Sequence, residues 1–288
     1  MANLKETRNR ITSIKSTMQI TSAMKMVSAA KLKRAQDAIT QMRPYAEKLQ
    51  EILVNLTSGS DDNEGGDYST ERPVAKVLIV AINSNRGLCG GFNANITKRC
   101  KVLVEDTYAG QDVSFFCIGK KVTEWLTLRE LNVVNSEIEI YNNLNFQTVT
   151  PIAESVMAEF VAGNYDKVVL VYNQFKNAAT QLVQEEQFLP IVAKEGEGDS
   201  NSTDYIYEPN KESIITELIP KSLKTQFYKA LLDSVAGEHG ARMTAMHKAT
   251  DNANELANDL TLQYNKARQA AITTEILEIV GGAEALKS

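Results

Sequence analysis

Two histidines and three cysteines are the only imidazole and thiol side chains in 288 residues. With His239 and His247 alone, a zinc centre or a histidine-based catalytic triad is not expected. Cys89, Cys100 and Cys117 are odd in number and follow no metal-like spacing, which favours free thiols in a reducing compartment. No run approaches the ~20 apolar residues of a membrane span, and the N-terminus has no apolar signal core. Glycine is missing from the first 58 residues, where Pro44 is the single proline, and no aromatic residue precedes Pro44.

What is present is unevenly distributed. The net charge of −5 hides a division. Residues 1–56 carry ten Lys/Arg against four Asp/Glu (+6), residues 57–210 twelve against twenty-two (−10), and residues 211–288 nine against ten (−1). A basic arm on an acidic body suggests an acidic partner for the arm. Nucleic acid, anionic lipid and an acidic protein surface all fit that description.

The chain reads as three segments and a linker: a long helix over 1–57, a polar Gly/Asp/Ser linker over 58–73, an α/β domain over 74–208 and a second long helix over 209–288. In the first, alternating steps of three and four from Leu4 pass through Ile11, Ile14, Met18, Leu32, Ala35, Ile39, Met42, Ala46, Leu49, Leu53 and Leu56. The seam is of coiled-coil type; Thr7, Thr21, Lys25 and Ser28 interrupt it, and Pro44 is expected to bend it. In the domain, strand candidates at 74–82, 112–119, 167–175 and 180–189 alternate with helical patterns. That alternation predicts a mixed sheet with helices on both faces and a terminal antiparallel hairpin. Residues 193–204 read as a loop and 205–209 as a short extended piece.

The last segment starts at an expected N-cap, Asn210, is expected to be interrupted at Pro220, and stops at Gly281-Gly282. Its seam includes Leu232, Val235, Met246, Ala249, Ala253, Leu256, Leu260, Ala267, Ala270 and Leu277. Gly237 and Gly240 are expected to loosen it. Helices of ~55 and ~60 residues would be about 80 and 90 Å long, against roughly 40 Å for the domain. The fold class is therefore α/β, with a long antiparallel coiled coil of the terminal helices and a central Rossmann-like domain. Apolar surface in 16–31 and 276–286 would need partners to cover it.

"NSNRGLCGGF" (83–92) raises the question of nucleotide binding, since strand, glycine turn and helix build phosphate loops. Its spacing fits neither G-x-G-x-x-G nor G-x-x-x-x-G-K-[ST]. The other reading is a tight turn that brings Cys89 to a surface. Lys31, Lys33 and Arg34 form a basic helix patch: a solvated face, or a site for an acidic partner. Without aromatics to stack on bases, nucleic acid is disfavoured. Arg268 and Gln269 beside small alanines could latch onto a backbone or carboxylate, or form an ordinary polar face. No acid pair, nucleophile with base or metal cluster is discernible, and no cofactor is expected. A nucleotide-binding α/β enzyme with coiled-coil arms is the alternative.

"ITSIKSTMQITSAMKMVSAAKLKRAQ", "NRGLCGGFN", "ARMTAMHKATDNA" and "YNKARQAAITTEILEIVGGAEAL", in that order, resemble the gamma subunit of the rotary F-type ATP synthases, the central stalk. The likeness spans nearly the whole chain. It implies a non-catalytic rotor shaft inside a ring of three alpha and three beta subunits, coupling ion flow through the membrane c-ring to ATP synthesis. It also implies contact with the epsilon subunit, and peripheral attachment at the cytoplasmic face of a bacterial inner membrane, an organelle form fitting as well. Met24, Lys25, Lys31, Lys33, Arg34 and Cys89 would then meet the acidic levers of beta. Arg268, Gln269 and Thr273 would form a catch on a beta loop, and Tyr205, Tyr207 and Glu208 would meet the c-ring and epsilon. The cysteine-bearing insertion of chloroplast members is missing, so thiol-switched regulation of that kind is not expected.

Overall fold

A computed structural model describes residues 4–57, 66–191 and 211–285. It gathers into two compact units, Met1–Ser28 with Met243–Ser288, and Ala29–Arg242. Helix α1 covers Leu4–Thr57 and helix α5 covers Lys211–Ala285, so each helix contributes to both units.

The larger unit is built on a five-stranded sheet in the order β3-β2-β1-β4-β5, from β1 (Lys76–Ile82), β2 (Asp112–Ile118), β3 (Val133–Glu137), β4 (Lys167–Phe175) and β5 (Gln181–Leu189). The first four run parallel and β5 is antiparallel to β4, so the expected hairpin is present. Strand β3 was not foreseen. It is a short edge strand whose alternation is masked by Asn135 and Ser136, and it is nowhere fully buried.

Period-two alternation sends the sheet's apolar side chains to two cores. Val77, Ile79, Ala81, Phe115 and Cys117 face Ile96 and Cys100 of α2 (Phe92–Val102) and Val122 and Leu126 of α3 (Lys120–Thr127). Leu78, Val80, Ile82, Phe116 and Leu170 face the other way. There they meet Val149, Ala153, Val156 and Phe160 of α4 (Phe146–Val161), and Ile219, Leu223, Phe227 and Leu231 of α5. Helix α4 begins with a reciprocal capping box, Asn145 with Thr148.

Two expectations about helix boundaries are corrected. Pro220 does not interrupt α5. Ile219 and Leu223 beside it are buried in the sheet's core, and that packing outweighs the one hydrogen bond a proline removes. Gly281 and Gly282 lie inside α5, which continues to Ala285; glycine permits a helix end without enforcing one. Pro44 sits within a continuous α1, on its exposed side. Asn210, the loop at 193–204, the piece at 205–209 and part of the 58–73 linker lie outside the described residues.

In the smaller unit, residues 4–28 of α1 run beside α5 from Met243 on. The α1 seam is as read: Leu4, Thr7, Ile11, Ile14, Met18 and Lys25 are half-buried, and Thr21 and Ser28 are buried. The hydroxyls in this apolar row are satisfied. Thr21 and Thr250 lie 2.8 Å apart across the two helices. Each hydroxyl has one proton, so one of the pair donates across to the other, and the accepting hydroxyl donates to its own helix, to the Met18 carbonyl if it is Thr21 or to that of Met246 if it is Thr250. On α5, Met246, Ala257 and Leu260 are buried. Leu256, placed in the seam by its hydropathy, is 45% exposed while Ala257 is 4% exposed; the smaller residue takes the position facing α1.

Candidate functional site

In open α/β sheets a ligand sits beyond the carboxyl ends of the strands, where the order reverses. Here that point lies between β1 and β4, at Asn83 and Asn173, and the chain fills it itself. Asn173 Nδ2 donates to the Phe92 carbonyl (3.1 Å) and Asn83 Nδ2 to that of Asn93 (3.3 Å). Helix α5 passes so close that a Cβ on Gly237 would lie 3.3 Å from the Asn173 carbonyl oxygen, Gln181 Cγ and Phe92 Cε2. One turn on, a Cβ on Gly240 would lie 3.2 Å from Ala178 Cα. The two glycines thus let a helix backbone rest against a strand end and a hairpin. Helix α5 runs unbroken through both.

The glycine turn is tied into this seat. Ser84 Oγ donates to the Arg86 carbonyl (2.6 Å), which also receives Asn93 Nδ2 (3.2 Å). Arg242 of α5 reaches the carbonyls of Arg86 (3.4 Å) and Gly87 (3.3 Å) through Nη2, while Nη1 meets Glu238 at 2.6 Å. Tyr141 donates to the Asn83 carbonyl at 2.6 Å. A phosphate seeks N–H donors, whereas this turn directs the Arg86 and Gly87 carbonyls inward to Arg242, and the α5 backbone fills the crevice.

Cys89 is not at a surface. It is 1% exposed, packed with Phe92 and Ala241, and burial pushes its thiol pKa up. The turn needs left-handed backbone at Leu88 (φ 63°) and Gly90 (φ 60°), and this geometry turns Leu88 outward instead, at 67% exposure. All three cysteines are free and buried. His239, beside Arg242, is held neutral near pH 7. Burial first, then the charges of Arg242 and Lys31, bring its pKa down to about 4.

The remaining candidates stand on exposed or half-exposed helix faces. Lys31, Lys33 and Arg34 are exposed, with Lys33 paired to Asp37 at 2.9 Å; such a surface pair is worth ~0.5 kcal/mol and leaves the face basic. Met24 and Lys25 are half-buried. Arg268, Gln269 and Thr273 are exposed, and the Thr273 hydroxyl bonds back to the Gln269 carbonyl at 2.9 Å. Tyr205, Tyr207 and Glu208 lie outside the described residues.

From residue 265 to 283 every side chain of α5 is exposed. Ile272, Ile276, Leu277, Ile279 and Val280 are among them, and on α1 Ile20, Met26 and Val27 are exposed as well. Among the described residues no group of His, Cys, Asp and Glu is placed to hold a metal, and no helix is long and apolar enough to cross a membrane. Sequence reading missed Arg242 and Asn173 as parts of the filled crevice. In the sequence Arg242 is a lone basic residue between the apolar seam positions Val235 and Met246.

The family model described as ATP synthase matches residues 3–286. The chain is 61% identical over 287 residues to the ATP synthase gamma chain of Flavobacterium psychrophilum, with 100% of both chains covered. It is 63% identical over 286 residues to that of Flavobacterium johnsoniae, with 99% of each covered. Among solved structures it resembles the central stalk of the Tetrahymena thermophila mitochondrial ATP synthase (TM-score 0.61, 27% identity, 80% of this chain and 99% of that one). It shares its fold with the rotor of the Euglena gracilis enzyme (TM-score 0.66, 18% identity, 93% and 98%).

Proposed function

The chain belongs to the ATP synthase gamma chain family, and from that premise we propose how its residues serve a central rotor. One observation carries the reading: a long stretch of α5, rich in large apolar side chains, is bare along its whole circumference. A soluble helix of that kind needs an enclosure. In a ring of three alpha and three beta subunits it has one. Hydrophobic contact is non-directional, so an apolar tip can turn in an apolar sleeve without breaking specific bonds at every angle.

Rotation does work because the shaft lacks the ring's threefold symmetry. Each beta subunit meets a different face, and differential contact energy holds three identical sites in different states. Lys31, Lys33 and Arg34 offer charge to acidic levers of beta, with Met24 and Lys25 adding a half-buried contact. Arg268, Gln269 and Thr273 supply hydrogen-bonding groups for a catch, and Leu88 takes the outward place first assigned to Cys89. Tyr205, Tyr207 and Glu208 are assigned to the c-ring and epsilon. The subunit is itself non-catalytic, a reading supported by the filled crevice, and it works at the cytoplasmic face of the membrane as a peripheral part of the complex. Purification of the tagged chain tests this: alpha and beta should copurify at three each per chain, and recovery of the chain alone would refute it.

A further inference from the structure

We propose that the filled crevice is the mechanical joint of the subunit, the place where turning moment passes between the sheet domain and α5, with Arg242 as its positioning residue. The proposal rests on the rotor reading and adds to it the residues that carry the load. A joint under torque must resist sliding. The apolar face that α5 presents at 219–231 to the sheet core is poorly suited to that alone, because hydrophobic contact has no preferred direction.

The crevice supplies what that face lacks. At Gly237 and Gly240, three residues apart on one helix face, helix backbone meets the Asn173 carbonyl and the Ala178 backbone with no flexible side chain between them. Arg242 then adds direction. Its planar guanidinium is held by Glu238 on its own helix and bonds two successive carbonyls of the turn. That turn is fastened in several further ways: Ser84 and Asn93 to the Arg86 carbonyl, Tyr141 to the end of β1, and Asn173 of β4 to the start of α2. A displacement of α5 along or about its axis therefore pulls on β1, β4 and α2 together. Arg242 is also the last residue of the sheet-bearing unit.

Cys89 reports on the joint, since it packs between Phe92 and Ala241, while Cys100 and Cys117 are buried in the sheet's other core and serve as controls. Alkylation by N-ethylmaleimide, read by mass spectrometry on the intact complex, measures opening at each thiol. Arg242→Gln removes a charged hydrogen-bonding group and should speed Cys89 labelling about tenfold or more, leaving Cys100 and Cys117 protected. In vesicles the same complex should pump fewer ions per ATP hydrolysed. Arg242→Lys, which keeps the charge but not the fork, should fall between. A merely structural Arg242 would lower pumping and hydrolysis together. Unchanged Cys89 labelling, or faster labelling with an unchanged pumping ratio, overturns the proposal. Should the Gln variant expose all three thiols at once, it has unfolded, and the Lys variant decides by the same two readouts. A wild-type chain that fails to join a ring refutes the rotor reading, whereas a coupled wild-type complex indifferent to both variants refutes only the joint.

Discussion

Four glycines lie in α5, and the structure assigns them opposite consequences on replacement by alanine. Alanine in a helix interior is favoured over glycine by about 1 kcal/mol. At Gly281 and Gly282 an added Cβ meets nothing within 4 Å, so that gain stands alone. At Gly237 the methyl would lie 3.3 Å from a carbonyl oxygen, an aliphatic carbon and an aromatic carbon, and at Gly240 3.2 Å from a backbone Cα. Relieving such crowding in a packed interior costs about 1–3 kcal/mol. The balance at each is a net loss of about 1 kcal/mol. With a urea slope of about 2 kcal/mol/M, the unfolding midpoint would fall by about 0.5 M per site. The single tryptophan, Trp125, packs against the sheet domain's core and reports that midpoint by fluorescence. Gly281→Ala and Gly282→Ala should leave the midpoint unmoved and slow hydrogen exchange over 276–285. A raised midpoint in Gly237→Ala or Gly240→Ala would refute the close-approach reasoning.

Other expectations follow from the same geometry. Gly119 sits at φ 109°, and a Cβ there would overlap the Asn83 carbonyl oxygen, so Gly119→Ala should cost more than about 3 kcal/mol and prevent recovery of folded chain. His239 has a folded pKa of about 4 against 6.5 unfolded. The unfolded state binds the proton first, so stability present above pH 6.5 is lost as pH falls toward 4. The loss is at most about 3 kcal/mol; in His239→Gln this part of the slope should vanish, and an unchanged slope contradicts the assignment. Arg268→Ala with Gln269→Ala should leave the unfolding free energy within ~0.5 kcal/mol of wild type, both side chains being exposed, and should lower ATP-driven pumping; normal pumping would remove the catch. Replacing Lys31, Lys33 and Arg34 with Gln should change turnover and its salt dependence, and no change would leave a solvated face.

Much of the fold was legible because it rests on periodicity. Every described α1 seam position from Leu4 to Leu49 is buried or half-buried, since a three-four repeat without glycine admits few alternatives. Strands β1, β2 and β4 were legible as continuous apolar runs, the mark of strands covered on both faces, and β5 as the hairpin partner of β4. What escaped notice was set by neighbours distant in sequence. Leu256 against Ala257 was decided by how closely two helices approach, which hydropathy does not record. Leu88 rather than Cys89 points outward because of a left-handed backbone that no glycine at position 88 announces. Strand β3 gains its place by pairing with β2, not by its own pattern. Gly237 and Gly240 looked like weak points because only the fold brings the Asn173 carbonyl beneath them.

The central claim is that this chain turns as an enclosed shaft while its partners do the chemistry. A fluorescent rod fixed to its sheet domain, in complexes immobilised by the ring, tests it at limiting ATP. The account predicts one-way rotation with three pauses per turn, one for each beta subunit. Sustained hydrolysis with the rod stationary or merely jittering would contradict it.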